Sequence, residues 1–407
     1  MTTLATTLAP SLPAAPGIDR SVTLLALLAI AATTAATTLA IDARQGLLVL
    51  IGAALGITLY HASFGFTGGW RAFITERRAD GIRAQMLTIA IAAVLILPLL
   101  SLQQIGGQQL TGAFGPLGVS LLAGAFLFGF GMQLGGGCGS GTLFTVGGGN
   151  LRMLVTLLFF IIGAVIGTAH LPWWAALPQI GVVRLPDLVG LWPAILLNLA
   201  GLGAVAAIAT LLERRRHPAG RHPVAPATAS TAVQPLGQRL LRGPWPLLWG
   251  AVLLALLNAL TLIAAGHPWS ITFAFNLWGA KALAAFGVPV AAWEFWTWPM
   301  PAQALNGSIL ADTTSVMDFG LILGALLAAG LAGKFAPDWR IPPRSLAAAV
   351  IGGLLMGYGA RLGFGCNIGA FFSGIASGSL HGWVWFAAAF AGSILGVRLR
   401  PAFGLGR

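Results

Sequence analysis

The chain contains two cysteines, and each lies in a glycine-rich run: GGGCG at residues 135–139 and GFGCN at residues 363–367. Glycine lets a backbone approach a bound group closely, and consecutive free N–H groups can cradle an anion. A thiol adds a weak, polarizable donor that suits a sulfur-bearing ligand. The two units therefore predict a site that suits a sulfur-bearing anion, formed by Cys138, Cys366, Gly137, Gly139, Gly365 and Asn367.

The alternative for each cysteine is a small buried residue in a tight helix crossing, where glycines permit close approach. A Cys138–Cys366 disulfide is also left open, although two cysteines cannot form a disulfide framework. A zinc site lacks its four soft ligands, so the sequence indicates no metal and no cofactor. Two cysteines at matching repeat positions favour the functional interpretation.

An internal repeat relates the two cysteine units. A shift of 228 residues places Cys138 on Cys366 without a gap, and it also aligns the surrounding glycines. A weaker match relates residues 63–71, which include Gly65, to residues 272–281. The loop before the first unit, 103–116, is uncharged, whereas the loop before the second, 334–345, is basic. This difference predicts two inverted-topology repeats with a shared site near the membrane midplane.

Other polar residues lie within or beside the apolar segments. Arg361 stands five residues before Cys366, and its repeat partner is Gln133. Ionisable groups inside a membrane are functional candidates by default, so Arg361, Gln133 and Lys281 join the predicted path. For Lys281 and Asp318 the alternative is a side chain that reaches to the membrane interface.

The elements that must position these residues are long apolar helices. The chain is 57% hydrophobic and 8% charged, with a mean hydropathy of +0.87, which excludes an ordinary soluble domain. A helix needs about 20 apolar residues to cross a bilayer. The sequence predicts an all-α, polytopic helical membrane protein embedded in lipid, with spans at 21–41, 46–62, 84–102, 117–134, 152–170, 187–212, 246–265, 306–333, 346–360 and 381–397.

Four further apolar segments are too short or too glycine-broken to cross alone, and they predict broken or re-entrant helices: 63–70, 136–149, 270–290 and 365–378. Non-helical backbone inside a membrane is tolerated only where neighbouring protein or a water-filled cavity satisfies its polar groups. The predicted organisation is a disordered tail (1–20), a first membrane half (21–212), a cytoplasmic linker (213–243), a second membrane half (244–400) and a C-terminal tail (401–407).

The net charge of +12 comes from arginines in short loops between the spans. By the positive-inside rule the loops Arg71–Arg83, Arg214–Arg242 and Lys334–Arg344 are cytoplasmic, which also makes the N-terminus cytoplasmic. Nucleic acid is excluded as a partner, because no basic stripe is interleaved with stacking aromatic residues.

The paired units G-x-G-x-x-L-G-x-G-C, at residues 129–138 and 357–366, resemble those of the YeeE/YedE family, also called the sulfur-transport domain family. The resemblance covers about residues 45–150 and 270–400. It implies a multi-pass protein of the bacterial inner membrane that carries thiosulfate or a related sulfur species, with Cys138 and Cys366 passing the anion along by S–H hydrogen bonds. Members often have a third cysteine in the first short motif, where this chain has Gly65.

Two other classes of function stay open. One is a membrane sulfurtransferase whose cysteine forms a persulfide. The other is a docking component for a soluble sulfur or selenium carrier on the cytoplasmic side, bound at the Arg71–Arg83 loop. A primary pump is disfavoured because no phosphate-binding loop ending in GK[ST] occurs. The sequence thus favours a permease and no enzymatic activity.

Overall fold

The computed structural model describes residues 17–218 and 235–406. Most of the predicted N-terminal tail and the middle of the predicted linker lie outside these residues. Within the described part the α-helices are α1 (Arg20–Ala40), α2 (Ala43–Ala62), α3 (Phe66–Glu76), α4 (Asp80–Ser101), α5 (Val119–Gly135), α6 (Gly139–Gly147), α7 (Leu151–Ala175), α8 (Leu185–Val189), α9 (Leu191–Arg216), α10 (Leu236–Arg242), α11 (Leu247–Ala265), α12 (Thr272–Ala285), α13 (Glu294–Thr297), α14 (Pro299–Asn306), α15 (Thr313–Ala332), α16 (Pro343–Leu362), α17 (Ser373–Ala376) and α18 (Leu380–Leu399).

The remaining regular structure is short. A π-helix (Asn367–Phe372) precedes α17, and 3₁₀ turns occupy Val290–Ala292, Ile309–Ala311 and Arg400–Phe403. Two small antiparallel ladders pair β1 (Gln104–Ile105) with β2 (Gln108–Gln109), and β3 (Pro116–Gly118) with β4 (Gln179–Val182). The helix α10 lies inside the stretch that the sequence assigned to a linker.

Ten helical segments among the described residues are long and apolar enough to cross a bilayer, which confirms a polytopic helical membrane protein. Each overlaps one of the predicted spans. Three of the segments are interrupted by glycines or a left-handed residue: Ala43–Glu76 and Val119–Gly147 each contain two helices, and Pro343–Ala376 contains α16, the π-helix and α17. The inverted repeat and the re-entrant character of the short helices stay predictions.

The helices pack closely because glycines stand where one backbone meets another. A β-carbon at Gly52 of α2 would lie 2.2 Å from the carbonyl oxygen of Met317 in α15. One at Gly163 of α7 would lie 2.3 Å from the Leu354 carbonyl oxygen in α16. Real side chains cannot occupy such positions, so these crossings require glycine.

The loops rich in arginine and lysine lie at one end of the bundle, called here the basic end. The carboxylate of Glu213, in the last turn of α9, accepts a hydrogen bond from the backbone N–H of Ala79 at 2.8 Å. Arg152, at the start of α7, donates to the Ser345 hydroxyl at 2.8 Å. The β3–β4 ladder and the bridge between Arg184 and Ser379 lie at the opposite end.

Candidate functional site

Cys138 caps the N-terminus of α6. The chain leaves α5 through Gly136, which has a φ of 99°, and turns into α6 three residues later. The Cys138 side chain is 1% exposed, and its sulfur lies 3.4 Å from the Ser140 hydroxyl oxygen. Its carbonyl oxygen accepts hydrogen bonds from the N–H and the hydroxyl of Thr142, each at 2.8 Å. The first N–H groups of α6 therefore start beside this thiol.

Cys366 occupies the corresponding position before the π-helix. The turn that presents it uses Phe364 at a φ of 57° and Gly365 at a φ of 145°. Its side chain is fully buried, and its sulfur accepts a hydrogen bond from the backbone N–H of Ile368 at 3.4 Å. The Gly365 conformation is essentially closed to residues with a β-carbon, so the glycine before this cysteine is required by the turn.

The two cysteine units meet. A β-carbon at Gly139 would lie 3.0 Å from the Cys366 sulfur and 3.4 Å from the Ile271 side chain, which directly precedes α12. The residue that follows one cysteine thus abuts the sulfur of the other, and the starts of α6 and α12 converge there. Both thiols are free, so the disulfide that the sequence left open is absent between these two residues.

The crossing of α5 and α16 holds the two units in this relation. A β-carbon at Gly124 would lie 2.3 Å from the Gly363 nitrogen, and one at Gly352 would lie 2.2 Å from the Gly135 nitrogen. The 228-residue shift pairs Gly124 with Gly352 and Gly135 with Gly363. The two contacts are therefore equivalent: in each, the first glycine of one unit meets the second glycine of the other unit. Reciprocal contacts of this kind are typical of a two-fold relation between equivalent segments.

A buried polar network fixes the Cys366 side of the site. Asn258 of α11 accepts a hydrogen bond from the Trp269 N–H at 2.8 Å and donates to the Ser373 hydroxyl at 3.3 Å. Ser373 in turn donates to the Trp269 carbonyl oxygen at 2.8 Å. The segment before α12 is thereby tied to the end of the π-helix. The sequence analysis did not predict this network, because Asn258 and Ser373 lie more than 100 positions apart in the chain and no motif links them.

Gly65 precedes α3 at the edge of a cavity of about 200 Å³ that Gly68, Arg78 and Gln85 also line. A β-carbon at Gly65 would meet nothing within 4 Å, so a side chain could extend into open space there. The amide of Gln85 accepts a hydrogen bond from the Trp70 indole at 2.8 Å and donates to the Gly65 carbonyl oxygen at 3.4 Å. The cavity lies where α3 joins α4, at the basic end.

Aromatic side chains connect the short helix that follows Gly65 with the π-helix that follows Cys366. Phe371 of the π-helix stacks on Phe386 with ring centroids 4.7 Å apart and an interplanar angle of 9°. It also makes edge-on contacts with Phe66, 6.1 Å away, and Trp70, 5.9 Å away. Sequence reasoning did not single out Phe371, although Phe66 belongs to the short motif around Gly65.

Asn367 lies directly at the site, whereas the other predicted polar residues lie elsewhere. Asn367 is fully buried, and neither its amide nitrogen nor its amide oxygen finds a partner among the described residues. The side-chain amide of Gln133 donates to the Thr67 carbonyl oxygen at 3.3 Å, and the backbone carbonyl oxygen of Gln133 accepts from Arg400 at 2.5 Å. Gly137 packs against Met153 and the backbone of α6.

Arg361 and Lys281 are engaged away from the thiols. The Arg361 guanidinium carbon lies 3.7 Å from the centroid of the Phe295 ring. The Lys281 ammonium donates to the carbonyl oxygens of Leu305 and Gly307, each at 2.7 Å. Lys281 is nine residues beyond Thr272, about 13 Å along α12 from the end that approaches the cysteines. Asp318, in contrast, is fully buried in protein, so it does not reach to the interface.

Comparison with known proteins gives one family and several relatives. The family model described as "Sulphur transport" matches residues 61–395. The Thiosulfate transporter TsuA of Spirochaeta thermophila is 28% identical over 343 residues, which is 83% of this chain and 93% of that protein. TsuA of Escherichia coli is 22% identical over 347 residues, 83% of this chain and 89% of its own length.

A third relative matches a smaller region. The Probable transporter YedE of Escherichia coli is 37% identical over 144 residues, which is 34% of this chain and 34% of that protein. In that match the chain spans about a third of the relative's length. The resemblance inferred from the paired cysteine units is thus confirmed at the level of the family.

Proposed function

The chain belongs to the sulphur transport family, and from that premise we propose that it is a permease for a small sulfur-containing anion such as thiosulfate. The proposed path runs between Cys138 and Cys366. Two relatives that align along most of their length are named thiosulfate transporters. The observation that carries the proposal is the contact of Gly139 with the Cys366 sulfur, which joins both thiol units in the buried centre of a membrane bundle.

The chemistry of this centre suits a thiosulfate-like anion. The first N–H groups of α6 and the positive end of its dipole favour negative charge beside Cys138. Thiol S–H groups are weak donors that match a soft terminal sulfur, and the unpartnered amide of Asn367 offers a stronger donor to an oxygen. Because neither thiol is exposed, an anion that passes here would leave water and be held by these few donors.

The cavity at Gly65 is the proposed mouth of the path at the basic end. Arg78 lines it and offers a positive charge to an anion, and the Asp80 carboxylate, which also lines the cavity, lies 3.9 Å from the Arg78 guanidinium. Phe66 follows Gly65 and contacts Phe371 of the π-helix that follows Cys366, and in this proposal these rings move when the anion passes. In this proposal Gly65 widens the mouth at the position where family members often carry a third thiol.

The α5–α16 crossing supports the proposal of two inverted halves. Its reciprocal glycine contacts are expected when equivalent segments approach from opposite sides of the membrane. The protein would lie in the bacterial inner membrane with its basic end and N-terminus in the cytoplasm.

The alternative of a membrane sulfurtransferase, or of a docking component for a soluble carrier, has weaker support. A persulfide on a carrier protein would have to contact the sulfur of Cys138 or Cys366. These side chains are only 1% and 0% exposed, so a carrier cannot reach them from the surface. A small anion can enter such a centre through modest side-chain motion, whereas a protein-bound persulfide needs an open channel. The burial of the thiols therefore favours transport of the free anion.

The test is uptake of labelled thiosulfate into cells that lack their own sulfate and thiosulfate importers. Cells that express this protein should accumulate the label, and cells that express Cys138→Ala at the same membrane level should not. Uptake that is equal with and without the protein would contradict the proposed substrate.

A further inference from the structure

Asp318 of α15 is a buried carboxyl that the proposed path does not yet use. Its side chain is 0% exposed, and neither carboxyl oxygen has a hydrogen-bond partner among the described residues. An ionised carboxylate without a partner is strongly disfavoured in a low-dielectric interior. Carboxyls inside membrane bundles are rare and mark ion or proton pathways. The side chain must therefore bind a cation or carry a proton.

The position of Asp318 on α15 directs its side chain toward the thiol centre, the region where Gly139 meets the sulfur of Cys366. Ser315, three residues earlier, accepts a hydrogen bond from the Trp278 indole of α12 at 2.8 Å. Ile322, four residues later, presents its carbonyl oxygen 2.3 Å from a β-carbon built at Gly147 of α6. Residues three and four apart share a helix face, so Asp318 lies on the side of α15 that adjoins α12 and α6. Both of those helices begin where Gly139 meets Cys366.

The titratable groups around α15 leave Asp318 unpaired. Lys281 of α12 is held by two backbone carbonyls, and Asp312 accepts hydrogen bonds from the N–H and hydroxyl of Ser315 at 2.8 and 2.6 Å. The helix α6 carries none. The other charged or titratable residues on elements packed against α15, or at the thiol centre, are Arg20, Arg44, Tyr60, His61, Arg239, Arg242, Cys138 and Cys366.

A proton suits this site better than a divalent metal ion. A divalent ion requires several oxygen ligands in a shell. Among the residues that the structure describes, no group of three or more acidic, histidine or cysteine side chains is arranged to hold a metal ion. A proton requires only one oxygen, and the neutral carboxyl that results is compatible with its burial.

We propose that Asp318 binds the proton that moves together with the anion, so that the permease is driven by the proton gradient. This assignment rests on the transport function proposed above. With the proton bound, Asp318 is neutral, so it adds no negative charge beside the adjacent thiol centre when the anion enters. Release of both to the other side would return the carboxyl to the state that binds the next proton.

The test uses the full chain in proteoliposomes, with the membrane potential clamped at zero by potassium and valinomycin. Labelled thiosulfate is followed at equal pH on both sides and with an inside-alkaline gradient of about one unit. A coupling of one proton per anion gives about tenfold accumulation per pH unit at equilibrium. The variants are Asp318→Asn, Asp318→Glu, and Gly203→Ala as a control, since a β-carbon at Gly203 meets nothing within 4 Å.

We expect the wild type and Gly203→Ala to accumulate thiosulfate about tenfold per pH unit. In Asp318→Asn, uptake with the pH gradient should be close to uptake at equal pH. Asp318→Glu should restore part of the response to the pH gradient. Exchange without a response to pH in the wild type would overturn the assignment. So would a response in Asp318→Asn equal to that of the wild type.

A second measurement does not depend on the substrate. Infrared titration of the reconstituted protein should show the carbonyl band of a buried protonated carboxyl, and Asp318→Asn should lack it. If the wild type exchanges no thiosulfate, the proposed substrate is contradicted. The infrared band then decides the proton site: its loss in Asp318→Asn supports the assignment, and its absence from the wild type overturns it.

Discussion

The backbone of Gly139 lies against the sulfur of Cys366, so closely that a β-carbon at position 139 would come within 3.0 Å of that atom. The residue after one cysteine thereby sets the position of the other, although the two are separated by more than 200 positions in the chain. This contact makes the two glycine-rich units one site rather than two.

Gly139→Ala tests this contact. The added methyl group must displace the Cys366 sulfur or the start of α6 by a few tenths of an ångström. Because a misplacement of about 1 Å can cost about 100-fold in rate, we expect thiosulfate uptake to fall by about threefold or more while the protein stays folded. Uptake per folded molecule is the measurement, with Gly203→Ala as the matched control. Wild-type uptake by Gly139→Ala would show that the contact is irrelevant to transport.

Substitutions at Gly65 test the proposed mouth of the path. Its φ of −121° and ψ of 127° are open to any residue, and a β-carbon there meets open space. Gly65→Ala should therefore change the free energy of unfolding by no more than about 0.5 kcal/mol. Gly65→Trp should fill the cavity of about 200 Å³ and block uptake without a loss of thermal stability. Full uptake by Gly65→Trp would place the mouth elsewhere.

The crossing of α5 and α16 predicts matched losses of stability. Gly124→Val and Gly352→Val each place a side chain against the backbone of the partner helix, and overpacking costs about 1–3 kcal/mol or more. The two variants should lower the thermal midpoint in detergent by similar amounts. Gly203→Val, at a position with open space, should cost no more than about 0.5 kcal/mol. Unequal losses would argue against a two-fold relation at this crossing.

Lys281 was predicted from the sequence to line the path, and its geometry now predicts a different result. Its ammonium ties α12 to the carbonyl oxygens of Leu305 and Gly307. Lys281→Met should lower thermal stability by about 1–3 kcal/mol, because charged hydrogen bonds are lost. The KM of the remaining uptake should be unchanged. A raised KM at wild-type stability would return Lys281 to the path.

Local sequence patterns predicted the spans well because twenty apolar residues in lipid have few alternatives to a helix. The glycine breaks also predicted where the helices are interrupted, at Gly65, Gly136 and Gly365. The partners of buried polar groups could not be predicted in this way. Asn258 with Ser373, Lys281 with Leu305, and Arg361 with Phe295 depend on which helices adjoin, and no spacing in the chain encodes those contacts.

The most direct test of the central claim is thiosulfate exchange by purified protein in proteoliposomes, with Cys138→Ala and Cys366→Ala beside the wild type and Gly203→Ala. Alanine removes only the sulfur at each site, and thermal midpoints measured in parallel report folding. We expect exchange by the wild type and the control, and a loss of about tenfold or more in each cysteine variant. Exchange at the wild-type rate in both cysteine variants would contradict a path that runs between the two thiols.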